Sequence, residues 1–167
     1  NILAEKNTYN INLNKPSFSS ESNLKGNKER INKATNLLLK SKNPTIIVGA
    51  GIKYNSKYRE VIKLAELLYV PIVTAAGHGD AIPFNHKLNA GQMGPRGNPV
   101  ASRLVKESDV ILAIGTRLGF NSTFYSYENI NKKAKIIQIE LEKKKLGKYF
   151  PIKVKIQAKT TTATKQI

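Results

Sequence analysis

The 167-residue chain contains no cysteine, so a disulfide framework and a thiolate zinc site are both excluded. That absence fits a reducing compartment, and a cytoplasmic location is the expectation. No apolar run approaches the length needed to span a bilayer. The chain opens Asn1-Ile2-Leu3-Ala4-Glu5 rather than with a basic and then apolar leader, and it reads as a segment of something longer. Acidic residues are scarce, 11 against 28 basic ones, which leaves a formal charge of +17.

A charge of that size raises nucleic acid or an anionic membrane surface as partners. The pattern of residues argues against both. Lysine outnumbers arginine and travels with abundant Asn and Ile, whereas groove readers favour the planar arginine fork. The densest basic runs, Lys132-Lys133 and Lys143-Lys144-Lys145, have no interleaved aromatics on which bases would stack. A solvated lysine-rich surface is expected, with no nucleic acid and no membrane as partner. Complete catalytic motifs are also lacking: the chain has no GxSxG elbow, no GxxxxGK[ST] loop and no HExxH spacing. Its two histidines, His78 and His86, read as loop-capping residues, and no metal site is expected.

What is present is alternation. Residues 1 to 26 show neither helical nor strand period and read as a linker. Asn27 to Ser41 places Ile31, Ala34, Leu37 and Leu38 at helical spacing, and Asn43-Pro44 then breaks the helix ahead of a buried strand at Thr45 to Val48. A second helix carries Tyr58, Val61, Ile62, Ala65 and Leu68 on one face, followed by a strand from Pro71 to Thr74. Ala76 to Asn98 is a long, glycine-punctuated loop, of a length that usually marks function or disorder. A short helix from Pro99 to Glu107 leads to the apolar strand Val110 to Ile114, and Lys135 to Leu141 and Ile152 to Gln157 supply two more strands. This order predicts an α/β fold: a doubly wound, mostly parallel sheet of about five to six strands with helices on both faces.

The segment Asp109 to Gly119 carries the clearest chemical signal, because an uninterrupted apolar strand ends abruptly in Gly115-Thr116-Arg117. In a parallel sheet that ending lies at the carboxyl edge, where ligands bind. Small-residue turns recur after three other apolar segments, at Gly49 to Gly51, Ala75 to Gly79 and Gly91 to Gly97. Backbone N–H groups freed at such turns would form an anion cradle, with Arg96 or Arg117 able to fork onto a phosphate. Arg117 has a purely structural alternative, a tie to Glu140 or Glu142. Glu140 and Glu142 close a strand and are placed to accept from ribose hydroxyls or to face solvent. Gly49-Ala50-Gly51 begins a dinucleotide fingerprint, but Tyr54 occupies the place of its third glycine and Thr74 that of its ribose-binding acid. A standard nicotinamide site is therefore disfavoured.

Several stretches together resemble the central domain of thiamine diphosphate-dependent enzymes of the acetolactate synthase-like family. They are Pro44 to Gly51, Ala65-Glu66-Leu67-Leu68 leading to Pro71 to Thr74, Ser108-Asp109 through Leu118, Ile136 to Glu140, and Leu146-Gly147. Gly115-Thr116-Arg117-Leu118 with Ser122-Thr123 looks closer to sulfoacetaldehyde acetyltransferase-like members than to true acetolactate synthases, which usually show Arg-Phe-Asp-Asp-Arg there. Lys159 stands where many members have an aspartate.

The resemblance implies a deoxyhypusine synthase-like sheet over residues 27 to 157, with 1 to 26 and 158 to 167 as linkers to missing pyrimidine-binding and diphosphate-binding domains. It implies FAD or an ADP-type nucleotide in this domain, and thiamine diphosphate and magnesium only in the full-length enzyme, a transferase or lyase. Nucleotide contacts are implied at Gly49, Ala50, Gly51, Thr74, Gly77, Gly94, Gly115, Thr116, Arg117, Ser122 and Thr123, with Glu140 beside them. No catalytic residue is expected in this segment, and the full-length protein is expected to be a homo-oligomer. Two alternatives stay open: a sirtuin-like NAD-binding domain sharing the Gly-Ala-Gly-Ile turn, and a subunit-contact domain without ligand.

Overall fold

The computed structural model describes residues 24–53 and 58–167, so Tyr54 and nearly all of the expected 1–26 linker lie outside the described residues. Six strands form one sheet: β1 (Pro44–Val48), β2 (Ile72–Thr74), β3 (Asn89–Gln92), β4 (Val110–Ile114), β5 (Lys135–Glu140) and β6 (Val154–Gln157). Every pairing is parallel, and the spatial order is β3-β2-β1-β4-β5-β6. The order reverses between β1 and β4, so loops leaving these two neighbours diverge and open a crevice at the carboxyl edge.

Burial on both faces explains the apolar strands. In β1, Ile46 and Val48 point into one layer and Ile47 into the other; in β4, Leu112 and Ile114 oppose Ile111 and Ala113. The first layer is closed by α1 (Lys28–Leu39), α2 (Tyr58–Leu68) and α5 (Thr160–Gln166), the second by α3 (Pro99–Glu107). Two helix starts are set by asparagine: Asn27 accepts from the Arg30 N–H, and Asn98 from the Val100 N–H with Pro99 at the first position.

Three elements differ from expectation. The span 76–98 is not all loop, because Asn89–Gln92 pairs with β2 as an edge strand, with a register shift between Ile72 and Val73. Its residues are only half-buried and include no apolar run, which hides it from a periodicity reading. Residues 158–167, read as the start of a linker, hold α5, which buries Thr160, Ala163 and Thr164 against α2 and β5. The four-residue α4 (Phe120–Thr123) follows the Gly115–Gly119 turn.

At the amino edge of the sheet, Asp109 accepts from the Ser41 hydroxyl and from the N–H groups of Lys42 (2.9 Å) and Asn43 (3.0 Å). The turn between α1 and β1 is thereby tied to the start of β4. No helix among the described residues is long and apolar enough to cross a membrane.

Candidate functional site

The β1/β4 crevice contains a cavity of about 570 Å³, within the usual size range of small-ligand sites. Seven of the expected contact residues line it: Ala50 and Gly51 after β1, Gly115, Thr116 and Arg117 after β4, Ser122 on α4, and Glu140 at the end of β5. The parallel sheet brings these distant positions together because the chain leaves β1, β4 and β5 at the same carboxyl edge.

The glycines do a different job from the one expected. The N–H groups of Gly49, Gly51 and Gly115 are not free for an anion: they donate to the carbonyls of Ile114 (3.1 Å), Gly115 (3.0 Å) and Ile139 (3.0 Å). A Cβ on Gly49 would lie 2.7 Å from the Gly115 oxygen. Glycine is required here because two main chains meet with no room for a side chain between them.

Arg117 is the group left open. It is exposed, and it joins no ion pair or hydrogen bond among the described residues, so the expected alternative tie to Glu140 or Glu142 is not made. Glu142 instead pairs with Lys145 and, at 3.4 Å, with Lys144. Glu140 accepts the Leu141 N–H on Oε1, which leaves Oε2 without a partner among the described residues. The N–H groups of Thr116 and Arg117 are likewise unbonded there.

Five expected residues lie off this lining. Thr123 is fully buried, its hydroxyl donating to the carbonyls of Leu118 (3.0 Å) and Gly119 (3.1 Å). Thr74 is fully buried with an unpaired hydroxyl, and Gly49 serves the backbone contact described above. Gly77, at φ +81°, lines an adjoining hollow of about 420 Å³ with Gln92, Pro95, Arg96 and Phe124. Gly94, at φ +104°, lets its loop approach α4, where a Cβ would meet the Asn121 oxygen at 2.7 Å. Ser122 both faces the cavity and accepts the Ala76 N–H at 2.9 Å, joining the β2 loop to the β4 loop.

Other lining residues were not expected as ligand contacts: Ala76, from the Ala75–Gly79 turn, His78, read as a loop cap, Lys145, read as part of a solvated basic run, and Phe120, Asn121, Tyr125 and Tyr149. The run from Phe120 to Tyr127, with four aromatics in a chain of five Phe and seven Tyr, is the one local density that pointed there. Tyr125 and Tyr149 stack with ring centroids 4.3 Å apart. The neighbouring Tyr125 hydroxyl and then Lys148 hold the Tyr149 hydroxyl below its ordinary range, while Tyr149 pushes that of Tyr125 up. His86 caps its loop as expected, accepting the Leu88 N–H on Nδ1, but His78 makes no capping bond. Burial first, and then the charge of Lys53, push the His78 imidazole below its usual value. Lys53 itself pairs with Asp80 at 2.7 Å. Among the described residues no group of three or more His, Cys, Asp or Glu could hold a metal.

The family model of the thiamine pyrophosphate enzyme central domain matches residues 31–167. A sulfoacetaldehyde acetyltransferase of Roseovarius nubinhibens is 32% identical over 169 residues, covering 100% of this chain and 28% of that protein. A probable sulfoacetaldehyde acetyltransferase of Rhizobium meliloti is 36% identical over 124 residues, covering 73% of this chain and 21% of the relative. A probable acetolactate synthase large subunit of Methanococcus aeolicus is 31% identical over 142 residues, covering 85% and 24%. The chain thus spans between 21% and 28% of the length of these relatives. With its all-parallel sheet and its match over residues 31–167, the chain belongs to the thiamine pyrophosphate enzyme family, as a central domain.

Proposed function

We propose that this domain holds an adenine nucleotide, as FAD or an ADP-type ligand, within a thiamine diphosphate-dependent carboligase or acetyltransferase. The observation that carries the reading is Arg117, an unpaired guanidinium on the wall of the β1/β4 cavity. A phosphate there would receive a charge-assisted fork from Arg117 and the open N–H groups of Thr116 and Arg117. Glu140, at the end of β5, offers an acceptor for ribose hydroxyls. These donors and acceptors fit a nucleotide. In this reading thiamine diphosphate and its metal belong to flanking domains of a longer, homo-oligomeric enzyme, of which this chain spans 28% or less in the relatives above. Family membership replaces the sirtuin-like alternative.

The test is to titrate the purified chain with ADP, FAD and NAD, following heat of binding and melting temperature. ADP or FAD is expected to bind and raise the melting temperature, with NAD weaker. No binding of any of the three at millimolar ligand would leave a scaffold domain without nucleotide.

A further inference from the structure

We propose that Tyr125 and Tyr149 form a shelf on which the flat heterocyclic base of the ligand stacks, so that this site selects base-bearing anions over bare phosphates. The inference rests on the nucleotide reading above. Tyr125 and Tyr149 both line the cavity that Arg117 lines, with their rings 4.3 Å apart and 29° from parallel. Phe120, also on the lining, lies 5.6 Å from Tyr125. Phe120 is 52% and Tyr125 47% exposed, and Tyr149 is half-buried.

The backbone supports the same conclusion independently. Four non-glycine residues have positive φ among those described, and three of them, Leu118, Phe124 and Tyr125, flank α4. Phe124 (φ +50°) and Tyr125 (φ +55°) adopt the left-handed conformation in succession, which side chains bear only at a cost. That turn ends α4 after four residues and carries Tyr125 onto Tyr149, which comes from a loop 24 residues further along. Strain of this kind gathers where ligands are held. Stacking on a π-face tolerates any base, while Arg117 on the same lining takes the anionic end, so the cavity accommodates both parts of one nucleotide.

The experiment compares ADP with inorganic pyrophosphate by calorimetric titration of the chain and of two variants, Tyr149→Leu and Tyr149→Phe. Tyr149→Leu is expected to weaken ADP about tenfold and to leave pyrophosphate unchanged, whereas Tyr149→Phe, which keeps the ring, should bind ADP within about twofold of the parent. Because the chain has no tryptophan, its emission comes from tyrosine, and FAD is expected to quench it on binding. The shelf is overturned if Tyr149→Leu binds ADP normally, if it loses ADP and pyrophosphate equally, or if FAD binds without quenching. A parent chain that binds neither ADP nor FAD overturns the nucleotide reading and the shelf with it. Binding by the parent with an unaffected Leu variant overturns the shelf alone.

Discussion

Gly51 donates its N–H to the Gly115 carbonyl at 3.0 Å, and a Cβ on either glycine would lie 2.6 or 2.7 Å from the other's Cα. Gly115 in addition sits at φ +60°. Gly115→Ala is therefore expected to cost about 2–4 kcal/mol, combining left-handed strain with overpacking. Gly119→Ala, whose new Cβ meets nothing within 4 Å, should change stability by less than about 0.5 kcal/mol. Urea denaturation of both variants checks the contrast, and equal losses would contradict the close backbone contact.

Arg117 makes no hydrogen bond or ion pair among the described residues, although its charge acts on Tyr125 and Tyr149. Arg117→Ala should leave the melting temperature unchanged and weaken ADP roughly tenfold or more, as removal of a charge-assisted hydrogen bond does. Calorimetric titration reads the affinity. A lower melting temperature with unchanged ADP affinity would return Arg117 to a structural role.

For Asp109, burial alone would raise the carboxyl, but the Ser41 hydroxyl and the N–H groups of Lys42 and Asn43 outweigh it and hold the group below its usual 3.8. Protonation is thus harder in the folded state, so the stability Asp109 supplies is complete above the unfolded value and lost as pH falls through the lower folded one. Asp109→Asn is expected to cost about 1–3 kcal/mol at neutral pH. It should also lose less stability than the parent between about pH 5 and about pH 2. Thermal melts across that range test both statements.

Lys53 faces His78 across the loops beside the cavity. Since burial and then the Lys53 charge hold the imidazole below 6.5, stability from His78 rises with pH through the window just below that value. Lys53→Gln removes one of the two causes and frees the Asp80 carboxylate, so the His78 midpoint is expected to rise. With two histidines in the chain, proton NMR resolves the titration directly. A midpoint that stays put would mean burial alone sets it.

The central strands were legible because burial on both faces demands unbroken apolar runs, as in Val110–Ile114. Asn89–Gln92 was not, being a half-buried edge whose pairing comes from main-chain bonds to β2. α5, whose run Thr-Thr-Thr-Ala-Thr shows no apolar stripe, was equally hidden. At the site, Arg117 could be read from the strand ending that precedes it. Tyr149 could not, because only tertiary folding carries it from the β5–β6 loop onto Tyr125. The glycine turns were placed correctly at the carboxyl edge, but the N–H groups of Gly49, Gly51 and Gly115 serve neighbouring carbonyls, which leaves those of Thr116 and Arg117 as the open ones among the described residues.

The contact between the β1 and β4 turns separates what makes the fold from what chooses its guest. A floor built from main chain against main chain is indifferent to what lies above it, since none of its bonds is offered upward. Drift in the rim, at Arg117, Glu140 or the tyrosines, can change or abolish the ligand without loosening the sheet beneath. Gly49, Gly51 and Gly115 therefore fix the scaffold, and on the nucleotide reading proposed above the guest is chosen by side chains that this main-chain contact does not constrain.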